Sequence, residues 1–238
     1  STTNAIAGQI GMMTRNTGYN ATHVHRGLAF ENALLDASFI SAENREKSII
    51  VGGVDEISTY NYNIDFLAGQ YKKEALTNKE LYSSFTEGSL AGEGAAMFLV
   101  NQREEGATMK LEALRTIHST DPEDVKAVLS EIVADFKIDA VMSGENGDIR
   151  LQHFYNNVET SFPQVSVWRF KHLSGEYPTA TSFALWVAMS ILSTGKIPAL
   201  VDVKRSKSAL SDQHQTILIY NTYMGLQHSF MVVRGVKK

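Results

Sequence analysis

The run Lys171-His172-Leu173-Ser174-Gly175-Glu176 sets an ammonium and a carboxylate five residues apart around a glycine. Glycine can take positive φ, so the chain can fold back there and bring the two groups together. The pair is then either a buried ion pair that fixes the turn or, in a cleft, an acid and base tuned by their neighbours. Other groups with chemistry are sparser. His23 and His25 stand two apart beside Arg26, with His25 the candidate base or ligand. Two histidines without a third ligand make a poor metal site, and the alternation of Thr22, Val24 and Arg26 against His23 and His25 predicts a strand instead. Glu145 and Asp148, within Ser143-Gly144-Glu145-Asn146-Gly147-Asp148, lack the alternating acids and distal glutamate of a calcium loop, so a glycine-rich turn is expected. Gly52-Gly53 has neither the third glycine nor the following lysine of a phosphate loop. The sequence calls for no metal and no cofactor.

The elements that would position Lys171 and Glu176 are legible around them. An apolar run from Val165 predicts a strand delivering Lys171, and Pro178 falls where the first turn of a helix would begin. In that helix Phe183, Leu185, Trp186, Val187, Met189, Ile191 and Leu192 leave no polar stripe, so it belongs to a core or a subunit interface. It is too short and too interrupted by serine and threonine to span a membrane. Upstream, a short helix runs through Ile6, Ile10 and Met13, and a long buried helix starts near Gly27. A strand at Ser48–Val51 is expected to turn at Gly52-Gly53. A long loop with one short helix covers 59–89. Gly92-Glu93-Gly94 precedes an apolar run ending at Val100; its glycine, acid, glycine, alanine order resembles a turn into a strand in the family named below, which implies that Glu93 bonds backbone amides. Asn101–Gly106 and the alternation over Met109–Ile117 predict a hairpin. Asp121-Pro122-Glu123 caps a helix with Val125, Val128, Leu129, Ile132, Val133 and Phe136 on helical spacing, and Asp139–Met142 is the strand after it. Strands at Ile197–Val203, Thr216–Tyr220 and Ser229–Val233 close the chain, the last two joined by a loop over Asn221–Ser229. This strand-helix-strand rhythm is that of a layered α/β domain.

Taken in order, the Asn4–Gln9 entry, VHRGLAFENALLDA, VGGVDE, Gly92-Glu93-Gly94, KHLSGEYPT and the Asn221 loop resemble the β-ketoacyl synthases of the thiolase-like superfamily. The narrower resemblance is to divergent ketosynthase-like proteins, or chain length factors, of bacterial aryl polyene and flexirubin-type clusters. The resemblance implies a thiolase-like layered α-β-α fold lacking its N-terminal portion. Residues 1–238 would be one ketosynthase-like domain, either the C-terminal fragment of a longer protein or one whose missing strands come from another polypeptide. It also implies a catalytic set, and the chain departs from it. The family's nucleophilic cysteine falls at Val24 or His25, its first histidine at or beside Ser143, and its second at Glu176, while the lysine is retained as Lys171. Tyr223 and His228 lie where the family has a gating aromatic, and are candidate substrate-binding residues.

Composition narrows the function. With 238 residues, 43% hydrophobic, the chain can bury a substantial core. A net charge of −4 offers no footprint for nucleic acid. The lack of a signal-like start or a spanning apolar run points to a cytoplasmic protein with no membrane span. There is no cysteine, so the thioester on which a condensing enzyme carries its acyl chain cannot form. The expectation is a ketosynthase-like subunit without the Cys-His-His set. It would act as a chain-length-factor-type partner in fatty acid or polyketide elongation on acyl carrier protein. The partner would be a cysteine-bearing ketosynthase in a heterodimer, or a second copy in a homodimer. Whether it is an enzyme stays open, the alternative being a divergent synthase, acyltransferase or decarboxylase using His25, Ser143, Lys171 or Glu176. Arg26, Lys204, Arg205 and Lys207 are the cations an acidic carrier protein would meet.

Overall fold

The computed structural model describes residues 5–45, 47–206 and 215–236. Helix α1 (Ala5–Thr14) leads through an irregular stretch and a 3-10 turn at Arg26–Leu28 into α2 (Ala29–Glu43). Then come β1 (Ile49–Asp55), α3 (Thr59–Leu67), β2 (Gly94–Val100), β3 (Met109–His118), α4 (Pro122–Asp135) and β4 (Ala140–Ser143). The chain continues as α5 (Gln152–Ser161), β5 (Ser166–Arg169), the single turn α6 (Lys171–Ser174), α7 (Ala180–Thr194), β6 (Asp202–Arg205), β7 (Thr216–Tyr223) and β8 (Gln227–Gly235). Among the described residues the strands form two sheets. One is the antiparallel pair β1-β2, the other runs β3-β8-β7-β4-β5-β6.

The layers follow from which side chains need burial. In β4, Ala140 and Met142 belong to one apolar cluster and Val141 to the other, so the large sheet is covered on both faces. Helices α4 and α5 cover one face through Val125, Leu129, Ile132, Phe154 and Val158. Helix α4 starts where its residues say it should: the Asp121 carboxylate accepts from the Glu123 amide at 2.9 Å, and Pro122 occupies the first turn. On the other face lie α7 and α2, and beyond them the small sheet, meeting at Phe30, Leu34, Val51, Phe98 and Ala184. The order is helix, sheet, helix, sheet.

Several expectations are corrected. Gly52-Gly53 does not turn but continues β1, because a Cβ on Gly53 would lie 2.7 Å from the Thr179 Cβ and one on Gly52 2.0 Å from the Met97 sulfur. Strands β2 and β3 are not a hairpin. β2 pairs with β1, setting Val51 against Phe98 on a buried face, and β3 pairs with β8 in the other sheet. Residues 22–26 form no strand, since no described strand lies alongside to take up their backbone groups. The strand expected at Ile197 begins at Asp202, after a turn in which the Val201 amide donates to the Pro198 carbonyl. Asn221–Ser229 is mostly strand, and the link between β7 and β8 shrinks to Met224-Gly225-Leu226, with Met224 and Gly225 both at positive φ. The two apolar helices are not buried all round: Phe39 on α2 is 66% exposed and Trp186 on α7 is 48% exposed.

Candidate functional site

The site is built where two loops cross in front of α7. Gly175 adopts φ 70°, and a Cβ there would meet the Ala91 carbonyl at 2.6 Å. On the facing loop a Cβ at Gly92 would meet the Ser174 carbonyl at 2.0 Å, so both positions must be glycine for the strands of chain to approach. Backbone bonds lock the crossing: the Glu176 amide donates to Leu90 at 2.7 Å and the Gly92 amide to Glu176 at 3.1 Å. Glu93 donates nothing here but accepts from the Ile57 amide at 3.0 Å, from an exposed position.

That crossing aims Glu176 inward. Its Oε1 lies 2.5 Å from the Nζ of Lys171, which is wholly buried, and its Oε2 accepts from the Asn146 side-chain amide at 2.8 Å. The ion pair expected from the spacing is present. Asn146 is itself held, its Oδ1 accepting from the Asp148 amide and its carbonyl from the Ser89 hydroxyl. Asp148 is clamped by Arg150, and Glu145 by Arg169 and Lys204. The expected glycine-rich turn is therefore a buried polar loop, with Ser143, Glu145, Asn146 and Asp148 each at most 4% exposed.

Glu176 opens onto a small cavity of about 20 Å³, whose walls include Asp65, Tyr71, Asn146, Tyr177 and Tyr223. Among the described residues no lysine or arginine lines it. Burial, helped by nearby Glu176 and Asp55, pushes the phenols of Tyr177 and Tyr223 up to about 12, so both stay protonated at neutral pH. The cavity thus offers hydroxyl donors, amide groups and carboxylates, of which Glu176 and Asp148 are held in ion pairs.

Beside it stands the entry to α2. Arg26 has φ 48°, a strained value for a side-chain-bearing residue. The elbow is pinned by Gln227, which accepts from the Gly27 amide at 3.0 Å and donates to the His25 carbonyl at 3.3 Å. A Cβ on Gly27 would sit 2.1 Å from that of Tyr223, so glycine is what lets α2 dock on the β7-β8 hairpin.

Of the residues singled out from sequence, Glu176 and Tyr223 share the cavity, and Lys171 reaches it through Glu176. Val24 and His25 are exposed on the elbow and do not line it. Ser143 is buried behind it, its hydroxyl accepting from the Glu145 amide at 3.3 Å. His228 is neither solvated nor in the cavity. Its Nε2 donates to the Ser119 carbonyl at 2.9 Å, leaving Nδ1 to accept from the Tyr220 hydroxyl at 3.0 Å, and burial lowers its proton affinity. Of the four cations, Lys204 pairs with Glu145 and Glu159, and Arg205 donates to the carbonyls of Val165, Glu159 and Phe162. Arg26 is exposed, and Lys207 lies outside the described residues.

Asn146, Asp65, Tyr71 and Tyr177 were missed, as was Glu31, wholly buried on α2 against Thr181 and Ser229. Glu31 had a signal, since it lies three residues from both Leu28 and Leu34 on the apolar stripe. Asn146-Gly147 read only as turn chemistry.

No family model matches this sequence, and no curated protein matches it. Solved structures do. A β-ketoacyl synthase from Burkholderia phymatum STM815 superposes with a TM-score of 0.73 at 14% identity, over 98% of this chain and 66% of that one. The ishigamide ketosynthase/chain length factor gives 0.68 at 16% identity, over 98% and 62%. A type II polyketide ketosynthase in complex with its acyl carrier protein, bound to the hexaketide, gives 0.69 at 13%, over 99% and 65%. The fold is therefore the thiolase-like fold of the ketosynthases, and this chain spans less than two thirds of the length of these three. No described helix is long and apolar enough to cross a membrane.

Proposed function

We propose that residues 1–238 are a ketosynthase-like domain that does not condense by itself. It acts in the cytoplasm as the chain-length-factor-type partner of a cysteine-bearing ketosynthase, in fatty acid or polyketide elongation of the aryl polyene kind on acyl carrier protein. The observation that carries this reading is Glu176. Decarboxylative condensation needs donors aimed at a developing enolate and a tetrahedral oxyanion. At Glu176, which the resemblance aligns with the family's second histidine, the carboxylate is engaged by Lys171 and Asn146, in a cavity that no described lysine or arginine lines. Its charge has the wrong sign for that task, and the chain has no cysteine to hold an acyl group.

Tyr223 would then bound the acyl tunnel, and Arg26, exposed at the elbow, would face the acidic carrier. Co-expression with a cysteine-bearing ketosynthase tests the reading. The expected result is a one-to-one complex whose product lengthens when Tyr223→Ala enlarges the cavity, with no condensation by this protein alone. Malonyl decarboxylation by the isolated protein that Glu176→Gln abolishes would overturn it and assign a catalytic role to Glu176.

A further inference from the structure

Three phenols and three acids line the small cavity in front of Glu176: Tyr71, Tyr177 and Tyr223 with Asp65, Asp148 and Glu176. Two of the acids are compensated from behind the wall. Glu176 meets Lys171 at 2.5 Å and Asp148 meets Arg150 at 2.6 Å, and neither cation lines the cavity. Asp65, half-buried on α3, forms no ion pair among the described residues, and its carboxylate accepts only a long bond from the Tyr71 hydroxyl, at 3.3 Å. The lining is left with one uncompensated negative charge.

The phenols add attraction for a cation without adding charge. Burial, with the acids around them, pushes Tyr177 and Tyr223 up to about 12 and Tyr71 further above the usual phenol range, so all three stay neutral. A neutral phenol presents an electron-rich ring face and an oxygen lone pair, and both attract a cation. Tyr177 is only 4% exposed, yet its hydroxyl forms no hydrogen bond with a described residue. The Tyr71 ring is backed by Tyr62, stacked at 5.3 Å with planes 17° apart, which fixes how it meets the cavity.

Size selects the kind of cation. About 20 Å³ holds one water-sized group, which an ammonium is and a trimethylammonium is not. A metal ion needs converging ligands, and among the described residues no three histidine, aspartate or glutamate side chains are grouped to hold one. An ammonium instead carries its own hydrogens to separate acceptors, here Asp65, the Gln70 side chain and the phenol oxygens. Leu151, Pro178 and Met224 supply apolar wall, and Met224, 41% exposed, marks the outward end. We propose that this cavity binds the primary ammonium group of an aliphatic amine, with Asp65 as its counter-ion, Tyr71, Tyr177 and Tyr223 around it, and the alkyl chain leaving past Leu151 and Met224. Such binding needs no ketosynthase, so it stands or falls separately from the partnership above.

Amide-resolved NMR titrations of the protein by itself, at neutral pH and matched ionic strength, test this with n-butylammonium, n-butyrate and tetramethylammonium. Butylammonium is expected to shift the amides of Asp65, Tyr71, Tyr177 and Tyr223 and to saturate, while the other two ions do not. Asp65→Asn keeps the size of the side chain and an acceptor for Tyr71, and should weaken butylammonium at least about tenfold. The comparison of ions on the parent protein needs no variant. Butyrate binding there as tightly as butylammonium would overturn the proposal, as would a failure of butylammonium to saturate. Butylammonium binding that Asp65→Asn leaves unchanged would place the amine elsewhere and overturn it too. Equal binding of tetramethylammonium would refute the argument from size and leave a cage for quaternary cations in its place.

Discussion

Replacing Glu31 by glutamine should stabilise the protein above neutral pH and do little below pH 5. Glu31 is wholly buried on α2, and neither carboxyl oxygen has a hydrogen-bond partner. The hydroxyls of Thr181 on α7 and Ser229 on β8 lie against it, and Lys171 on α6 is the nearby cation. These three and the amide of Glu31 itself draw its proton affinity down, yet neither hydroxyl meets it in a well-formed bond, and Lys171 is spent on Glu176. Desolvation wins and raises the carboxyl from 4.5 to about 7. A carboxyl that binds its proton more tightly folded than unfolded contributes stability that is fully present below the unfolded value. That stability drains away as pH rises towards the folded one. At about 1.4 kcal/mol per unit, the span from 4.5 to about 7 amounts to roughly 3 kcal/mol lost between pH 4.5 and pH 7. Glutamine imitates the protonated carboxyl and has nothing to lose. Urea denaturation of Glu31→Gln and the parent from pH 4.5 to 8.5 should give coincident midpoints at the acid end. The variant should gain progressively, up to roughly 3 kcal/mol at pH 8. A difference that does not change with pH, or a variant less stable at pH 8, would refute the reasoning.

Lys171→Met leaves Glu176 buried without its cation and should cost about 3–5 kcal/mol, while adding Glu176→Met should recover most of it; a urea double-mutant cycle reads the difference. Gly53→Ala forces a Cβ to within 2.7 Å of Thr179 and should cost about 1–3 kcal/mol, seen as a lower urea midpoint with unchanged slope. Of the two tryptophans, Trp168 is wholly buried and Trp186 is 48% exposed, so iodide should quench one component of the emission of the 238-residue chain, and Trp186→Phe should abolish that quenching.

What the sequence disclosed, it disclosed where the physics is local. Helix α4 could be read because its cap, its proline and its apolar spacing all lie within sixteen residues, and α7 because its composition leaves no other place for it. The Lys171–Glu176 contact could be read because one glycine at positive φ suffices to make it. Pairing across distance was not legible. β2 and β3 adjoin in sequence and both alternate, yet they belong to different sheets, β2 pairing with β1 and β3 with β8 across more than a hundred residues. The same holds for the glycines. Gly52 and Gly53 look like a turn until Met97 and Thr179 are seen pressing on the strand that contains them. His228 misled for the converse reason: two residues at positive φ, Met224 and Gly225, close the hairpin early and draw the histidine into the sheet. Buried polar groups were hardest, since Asn146 and Ser143 carry ordinary turn chemistry and acquire their roles only from the loops folded over them. Glu31 is the instructive exception. An acid on an apolar stripe is either an error of register or a buried charge, and the register here is fixed by Phe30, Leu34 and Ala37 in the core. Such a residue costs stability at neutral pH, so its titration is the most direct test of whether α2 sits as described.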